Sequence, residues 1–263
     1  MLHIGGRASG PSLAVTYLCL LVLLPLAAVV GNAFGNGWSG FATAVTEPEG
    51  VAAIELTVFC SLGVAVVNSV AGLAIAWVLV RDEFVGKRVI SSIIDLPFAL
   101  PTIVAGLTLL SLYGPESPFR VDIADTQIGI CVALAFVTLP FCVRSVQPVL
   151  AELDKESEEA AASLGASPPV VVRRVVMPSV APAMLAGAGL AFARALGEFG
   201  SVVLISGNLP FKTQVASSWI YSLSQSGQLS AAAAVSTVLV VIALVVLFAM
   251  GLLRRHFDLE RTR

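Results

Sequence analysis

The stretch AELDKESEEAAASLGASPPVVVRRVVMPS, residues 151–179, is the longest polar interruption in a chain that is otherwise mostly apolar. Acidic and helix-favouring residues fill positions 153–162. Gly165 follows, and glycine suits the left-handed conformation that ends many helices. Pro168 and Pro169 then suit the first turn of another helix. The stretch predicts two short helices joined by a sharp turn, a pattern that an ordinary amphipathic helix at a membrane surface also fits.

The composition of the whole chain indicates a membrane protein. Apolar residues make up 57% of the sequence and charged residues 12%, against about a quarter charged in soluble domains. A bilayer core of ~30 Å needs about 20 apolar residues per helix. Six segments meet this length: residues 13–34, 51–80, 89–113, 128–150, 180–205 and 229–253. Because backbone groups in lipid must be hydrogen-bonded within a segment, we predict an all-α integral membrane protein with six transmembrane helices.

The polar segments are too short to hold a separate soluble domain. We therefore expect one transmembrane domain over residues 1–263, with the 151–179 loop as its main extramembrane element. The first apolar run is longer than the core of a signal peptide and carries Pro25 in its middle, so we expect it to be a retained helix.

Lysine and arginine are unevenly distributed between the two sides of the predicted bundle. Eleven lie before residue 13 and in segments 81–88, 151–179 and 254–263, whereas two lie in segments 35–50, 114–127 and 206–228. By the positive-inside rule, we predict a multi-pass protein with both termini and the 151–179 loop in the cytoplasm.

The four cysteines lie inside apolar segments and lack the spacing of metal ligands. They are Cys19, Cys60, Cys131 and Cys142. We expect them to be small buried residues, with neither a disulfide nor a metal site.

A spaced motif runs through the 151–179 loop. It reads Glu159-Ala160-Ala161, three residues, Gly165, nine residues, then Val175-Val176-Met177-Pro178. This motif resembles the cytoplasmic EAA loop of permease subunits in binding-protein-dependent ABC importers, with Met177 in place of the usual leucine. The resemblance implies a type I ABC importer permease fold. It also implies that Glu159, Ala160, Ala161, Gly165 and Pro178 belong to a coupling element that contacts an ATP-hydrolysing subunit.

Three further stretches resemble the T-type permease of sulfate/thiosulfate importers. They are DLPFALPT (95–102), AFARALGEFG (191–200) and SGNLPFKT (206–213). The resemblance extends from the second span to the sixth and implies a permease subunit of an ATP-driven sulfate or thiosulfate importer that works by alternating access. Molybdate/tungstate importer permeases share a similar RALGEFG run but tend to lack the DLPF and PFKT segments, so they are the alternative.

The resemblance also implies a set of partners. These are ATP-binding cassette subunits that bind ATP and Mg, a second permease of the W type, and an extracytoplasmic sulfate-binding protein in a bacterial inner (plasma) membrane. The chain itself has no phosphate-binding loop, since the nearest candidate, residues 207–213, lacks a glycine directly before Lys212. We therefore expect a non-catalytic subunit with no cofactor of its own, in contact with membrane lipid and without a nucleic-acid partner.

Arg194 and Glu198 lie inside the fifth apolar segment. Placing a charge in the bilayer costs ~2.5 to 3.5 kcal/mol on insertion scales, so such residues usually face the bundle interior or a wet path. A separation of four residues allows the two side chains to pair along a helix. The pair is either a structural salt bridge or a part of the anion path, and Glu198 could also act as a gating counter-ion.

Pro97 and Pro101 interrupt the third apolar segment. Each removes a backbone donor, which either kinks the helix or, as in many transporters, opens a broken helix beside the substrate path. Asp95 and Arg144 have similar calculated depths at 1.5 Å per residue. They are predicted to form an ion pair, although Arg144 could instead extend to the interface.

Two other classes of function are less well supported. A self-sufficient secondary anion transporter should show inverted repeats or a dense set of polar residues within its spans, and neither is evident. A membrane enzyme would need a nucleophile or a metal cluster, yet His3 and His256 both lie in the tails. We therefore expect no catalytic residues.

Overall fold

The computed structural model describes residues 9–261, and within that range every regular element is a helix. The helices are α1 (Ser12–Ala33), α2 (Gly37–Thr46), α3 (Pro48–Arg81), α4 (Lys87–Ile94), α5 (Leu96–Ala99), α6 (Thr102–Tyr113), α7 (Gln127–Glu152), α8 (Lys155–Ser163), α9 (Pro168–Leu196), α10 (Gly200–Ile205), α11 (Ala216–Gln225) and α12 (Leu229–Arg261). The predicted all-α membrane fold is therefore confirmed.

Five of these helices, α1, α3, α7, α9 and α12, are long and apolar enough to cross a membrane. The third predicted span is instead divided into α4, α5 and α6. At 1.5 Å per residue, the twelve residues of α6 extend only about 18 Å. Within residues 9–261 the chain thus supplies five continuous spanning helices, and a broken element stands in place of the third predicted span.

The prolines of the third segment explain its division. Pro97 lies in the first turn of α5, and Leu100 takes an extended conformation (ψ 134°) immediately before Pro101. A residue that precedes proline is pushed away from the helical region by the pyrrolidine ring. Pro101, with ψ 132°, then caps the start of α6.

Helix α3 forms the centre of the bundle and packs along both α7 and α9. Gly72 allows α3 to approach α7 closely, because a Cβ at this position would lie 2.7 Å from Cβ of Cys142. The buried side chain of Asn68 donates to the carbonyl oxygen of Ala135 and to Oγ1 of Thr138, each at 2.9 Å. A polar group buried among apolar helices is stable only when it is hydrogen-bonded in this way.

Helix α1 lies on the outside of the bundle. Its most apolar stretch has no buried residue within the described chain, and it packs mainly against α12. Cys19, which we predicted to be buried, is therefore exposed. The prediction was wrong because a long apolar helix can face lipid over most of its surface, so its small residues are not necessarily interior.

Candidate functional site

The 151–179 loop folds into α8, a tight turn and the start of α9. The side chain of Asp154 caps α8 by accepting from the backbone N–H of Glu156 at 2.9 Å. Gly165 has φ +87°, and two hydrogen bonds close the end of the helix, from Gly165 N to Ala162 O (2.9 Å) and from Ala166 N to Ala161 O (3.1 Å). Because glycine adopts this left-handed conformation without steric cost, the predicted turn at Gly165 is confirmed.

This helix presents the motif residues to the outside. Glu159 and Ala160 are exposed and Ala161 is half-buried. Leu164, at the end of α8, is 90% exposed, and a Cβ added at Gly165 would meet no atom within 4 Å. The motif residues Glu159 and Ala160 and the neighbouring Leu164 therefore lie on the surface of the chain.

Pro178 lies apart from α8, within α9. The preceding residues, Val172–Val176, form a π-helical turn, in which the backbone N–H of Met177 donates to the carbonyl oxygen of Val172. Proline has no N–H to continue an α-helical ladder, and the wider turn absorbs this loss without ending the helix.

An ion pair that the sequence analysis did not predict attaches α8 to α3. Nη2 of Arg81, the last residue of α3, contacts Oε1 of Glu158. The guanidinium group also lies 5.7 Å from the ring centre of Trp77. The two charged side chains are only 12% and 21% exposed, so this contact is more enclosed than an ordinary surface pair.

Asp95 and Arg144 form the ion pair that the sequence predicts. Nε of Arg144 donates to Oδ1 of Asp95 at 2.8 Å, and Nη2 donates to Oδ2 at 2.5 Å. Nη2 also donates to the carbonyl and hydroxyl oxygens of Ser91 at 2.9 and 3.0 Å, and Nη1 contacts Gln147. Asp95 is the residue between α4 and α5, so this bidentate pair secures the broken third segment to α7.

Arg194 and Glu198 also pair, with 2.5 Å between Nη1 and Oε2. The pair differs from the prediction in one respect, because α9 ends at Leu196 and Gly197 caps it. Glu198 therefore lies in a break between two helices. Glu198 is 2% exposed, and its Oε1 accepts from the backbone N–H and the hydroxyl of Ser201 at 2.9 and 3.0 Å. One carboxylate thus holds Arg194 and also binds the first turn of α10.

The broken third and fifth segments pack directly on each other through α6 and α10. A Cβ at Gly106 would lie 2.7 Å from the carbonyl oxygen of Ser201, and a Cβ at Gly200 would lie 2.2 Å from Oγ1 of Thr102. Two of the three stretches singled out in the sequence, residues 95–102 and 191–200, therefore meet at this contact.

The third stretch singled out in the sequence, residues 206–213, forms a compact loop between α10 and α11. The carbonyl oxygen of Leu209 accepts from the backbone N–H groups of Lys212, Thr213 and Gln214 at 2.9 to 3.1 Å. Beyond this loop, Ser217 donates from its hydroxyl to the carbonyl oxygen of Glu198 at 2.7 Å. The loop and the Glu198 break are thus attached to the same helix, α11.

The two ion pairs are separate features of the protein. Across residues 9–261, no hydrogen bond or salt bridge joins the Asp95–Arg144 pair to the Arg194–Glu198 pair. In the same range all four cysteines are free, and no group of three potential metal ligands is found. Asp95–Arg144 and Arg194–Glu198 are therefore two independently stabilised ion pairs.

Together, the long apolar helices, the two interrupted segments and the paired interior charges define a polytopic helical protein of the transporter class. A family model described as "Binding-protein-dependent transport system inner membrane component" matches residues 68–259. The chain belongs to this family. It is therefore a multi-pass permease subunit and not an enzyme.

Sequence relatives cover nearly the whole chain. The sulfate transport system permease protein CysT of Salmonella typhimurium is 41% identical over 251 residues, which is 93% of this chain and 91% of the relative. The protein of the same name from Synechococcus elongatus is 44% identical over 245 residues, or 90% of this chain and 88% of the relative.

Solved structures support the fold at lower sequence identity. A bacterial ABC transporter involved in alginate import gives a TM-score of 0.76 at 16% identity, covering 92% of each chain. The methionine ABC transporter MetNI in an inward-facing conformation gives 0.59 at 19% identity, covering 81% of this chain and 99% of that one. The type I importer permease fold is thereby confirmed.

Proposed function

We propose that this chain is the T-type permease subunit of an ATP-driven sulfate/thiosulfate importer. The observation that carries the proposal is the exposed helix α8 with its Gly165 turn. It displays Glu159 and Ala160 on a surface that no other part of the described chain covers. A self-sufficient carrier has no need of such an element, whereas a subunit driven by a separate ATPase needs a rigid surface for that ATPase to move.

The choice of sulfate as substrate rests on the relatives. Proteins named as sulfate transport permeases match the chain at 41 to 44% identity over about nine-tenths of its length. The DLPF and PFKT segments, which molybdate/tungstate permeases tend to lack, are both present.

The proposed complex contains four kinds of subunit. Two ATP-binding cassette subunits bind ATP and Mg and contact α8 at Glu159, Ala160 and Ala161. A second, W-type permease completes the path with this chain, and an extracytoplasmic sulfate-binding protein delivers the anion. The uneven distribution of lysine and arginine supports cytoplasmic termini and a cytoplasmic α8.

The proposed mechanism is alternating access. ATP binding closes the two cassette subunits and moves the coupling helices of the two permeases together, which opens the path outward. Hydrolysis and product release then reset the complex. Gly165 fixes the direction of α8 relative to α9, so that a displacement of α8 is passed to the membrane helices and is not absorbed by a flexible loop.

Within the membrane, the proposed path includes the Arg194–Glu198 break and the segment from Asp95 through Pro97 to Pro101. Arg194 is 34% exposed and can present guanidinium N–H groups to a divalent oxyanion. Glu198 neutralises it when no anion is near, which lowers the cost of keeping an arginine inside the bundle.

Reconstitution in proteoliposomes tests the proposal. The chain would be assembled with its cassette subunits, a W-type permease and the sulfate-binding protein, and uptake of radiolabelled sulfate would be measured with and without ATP. We expect uptake to require both ATP and the binding protein, and to be inhibited by excess thiosulfate but not by molybdate. Uptake without ATP would indicate a secondary transporter, whereas inhibition by molybdate alone would indicate the alternative importer type.

A further inference from the structure

Helix α3 is the longest helix within residues 9–261 and runs through the centre of the bundle. Its 34 residues extend about 50 Å at 1.5 Å per residue. Its only proline is Pro48 in the first turn, so no kink interrupts it. It packs against α7 and against α9.

The end of α3 next to α8 is fastened by Arg81. Its guanidinium group contacts Glu158 and lies over Trp77, and its Nε atom is buried without a hydrogen-bond partner. Glu158 is therefore the one carboxylate that compensates this enclosed charge. Breaking an enclosed pair on one side leaves an uncompensated charge, so the contact is much more sensitive to substitution than a surface salt bridge.

Towards the opposite end of α3, in its third turn, Thr57 is 2% exposed and attaches the helix to α11. Its hydroxyl donates to the carbonyl oxygen of Ala53 at 2.7 Å and accepts from the backbone N–H of Ala216 at 2.8 Å. Ala216 begins α11, where the first N–H groups have no partner within the helix. The next residue, Ser217, donates to the carbonyl oxygen of Glu198.

We propose that Arg81 and Thr57 are positioning residues at the two ends of a lever, residues 57–81 of α3, which carries displacements of α8 to the backbone at Glu198. The proposal rests on the function proposed above, in which α8 is the coupling helix. The 24 positions from Thr57 to Arg81 correspond to about 36 Å of helix, which is long enough to connect the cytoplasmic surface with the buried carboxylate.

A pivot for this lever lies between the two ends. Asn68 bonds α3 to α7 through Ala135 and Thr138, and Gly72 brings the two helices into contact at Cys142. When a rod turns about a point near its middle, its ends move in opposite directions. An inward displacement of α8 therefore becomes an outward displacement near Glu198, which is the relationship that alternating access requires.

The competing route is the direct covalent connection from α8 into α7 and α9. Exchanging the charges of Arg81 and Glu158 in the reconstituted complex distinguishes transmission through α3 from transmission through this covalent connection. We expect Arg81→Glu and Glu158→Arg each to reduce sulfate transported per ATP hydrolysed by roughly five- to tenfold, and the double exchange to restore most of it. Thr57→Val, which keeps the side-chain shape but removes the hydroxyl, should cause a comparable loss.

A matched control is available nearby. Lys87 and Glu83 form an ion pair at 2.9 Å in which Glu83 is 89% exposed, so Lys87→Glu should leave the transport ratio unchanged. Wild-type ratios in both Arg81→Glu and Thr57→Val would overturn the lever and favour the covalent route. Failure of the double exchange to restore transport would likewise overturn the role of the Arg81–Glu158 contact.

A distance measurement keeps this test independent of the proposed function. Spin labels at Val85 and Leu164, both strongly exposed, report the position of α8 relative to the end of α3. We expect one narrow distance distribution in the wild type and in the double exchange, and a broad one in Arg81→Glu. If the wild-type complex imports no sulfate, the proposed function fails, and an unchanged distribution in Arg81→Glu would then overturn the lever on its own.

Discussion

A Cβ placed on Gly200 would lie 2.2 Å from Oγ1 of Thr102, so the helices α10 and α6 touch with no room for a side chain between them. The same Cβ would lie 2.9 Å from the backbone nitrogen of Ile103, which cannot move without shifting α6. The two interrupted segments of the membrane domain are therefore fitted to each other at the level of the backbone.

Gly200→Ala should separate these segments. Overpacking of this kind costs about 1 to 3 kcal/mol, so we expect a lower yield of folded complex, a reduced thermal midpoint and reduced sulfate uptake. Gly63→Ala is the control, because nothing lies within 4 Å of a Cβ at Gly63. Equal stability of the two variants, measured by thermal unfolding in detergent, would show that α6 and α10 are not in fixed contact.

Gly165→Val should uncouple ATP hydrolysis from transport. The left-handed conformation costs a residue with a Cβ about 1 to 2 kcal/mol, and we expect α8 to lose its fixed direction while the membrane domain remains inserted. Gly227→Val is a matched control, since Gly227 has φ +78° and is equally free of neighbours but follows α11. Stimulated ATPase activity and sulfate uptake at normal rates in Gly165→Val would contradict the coupling assignment.

Arg194→Ala should abolish sulfate uptake, and Arg194→Lys should impair it, because lysine cannot supply the planar donors of a guanidinium group. Removing Arg194 alone also leaves the carboxylate of Glu198 buried without its counter-charge, a change that typically costs about 3 to 5 kcal/mol. Assembly must therefore be measured beside uptake, by size-exclusion chromatography of the purified complex.

The double variant Arg194→Ala with Glu198→Gln resolves these two effects. Glutamine can still accept from the Ser201 N–H, so we expect the double variant to assemble but not to transport. Recovery of both assembly and transport would make the pair a structural salt bridge only, and the anion would then be handled by other donors.

Cysteine labelling tests the predicted orientation. In a cysteine-free background, a cysteine at Lys212 should react with an impermeant thiol reagent in intact cells, whereas one at Ser157 should react only after the cells are permeabilised. Both positions are exposed in the structure, so access depends on the side of the membrane. The opposite pattern would place α8 outside and exclude a cytoplasmic ATPase as its partner.

The features that could be predicted from sequence are those with local signals. Gly165 followed by Pro168 defines the turn after α8, and Pro97 with Pro101 defines the breaks in the third segment. The Asp95–Arg144 pair could be predicted because few charges lie at that depth and each needs a partner.

The features that were missed depend on how distant segments pack. Arg81 and Glu158 are 77 positions apart, and no spacing rule relates the end of one helix to the face of another. Likewise, nothing in the sequence around Gly197 is as disruptive as a proline, so the end of α9 and the contact of Gly200 with Thr102 follow only from the tertiary arrangement.

The peripheral position of α1 affects how its sequence can vary. A helix that leaves its most apolar stretch unburied in its own chain must retain its length and hydrophobicity, but it need not retain any particular side chain. We therefore expect saturation mutagenesis to tolerate exchanges among apolar residues in the unburied part of α1, but not at Ala33, which is 1% exposed. The same exchanges at Gly72 or Gly200 should be rejected, because those positions face atoms of a neighbouring helix at close distance.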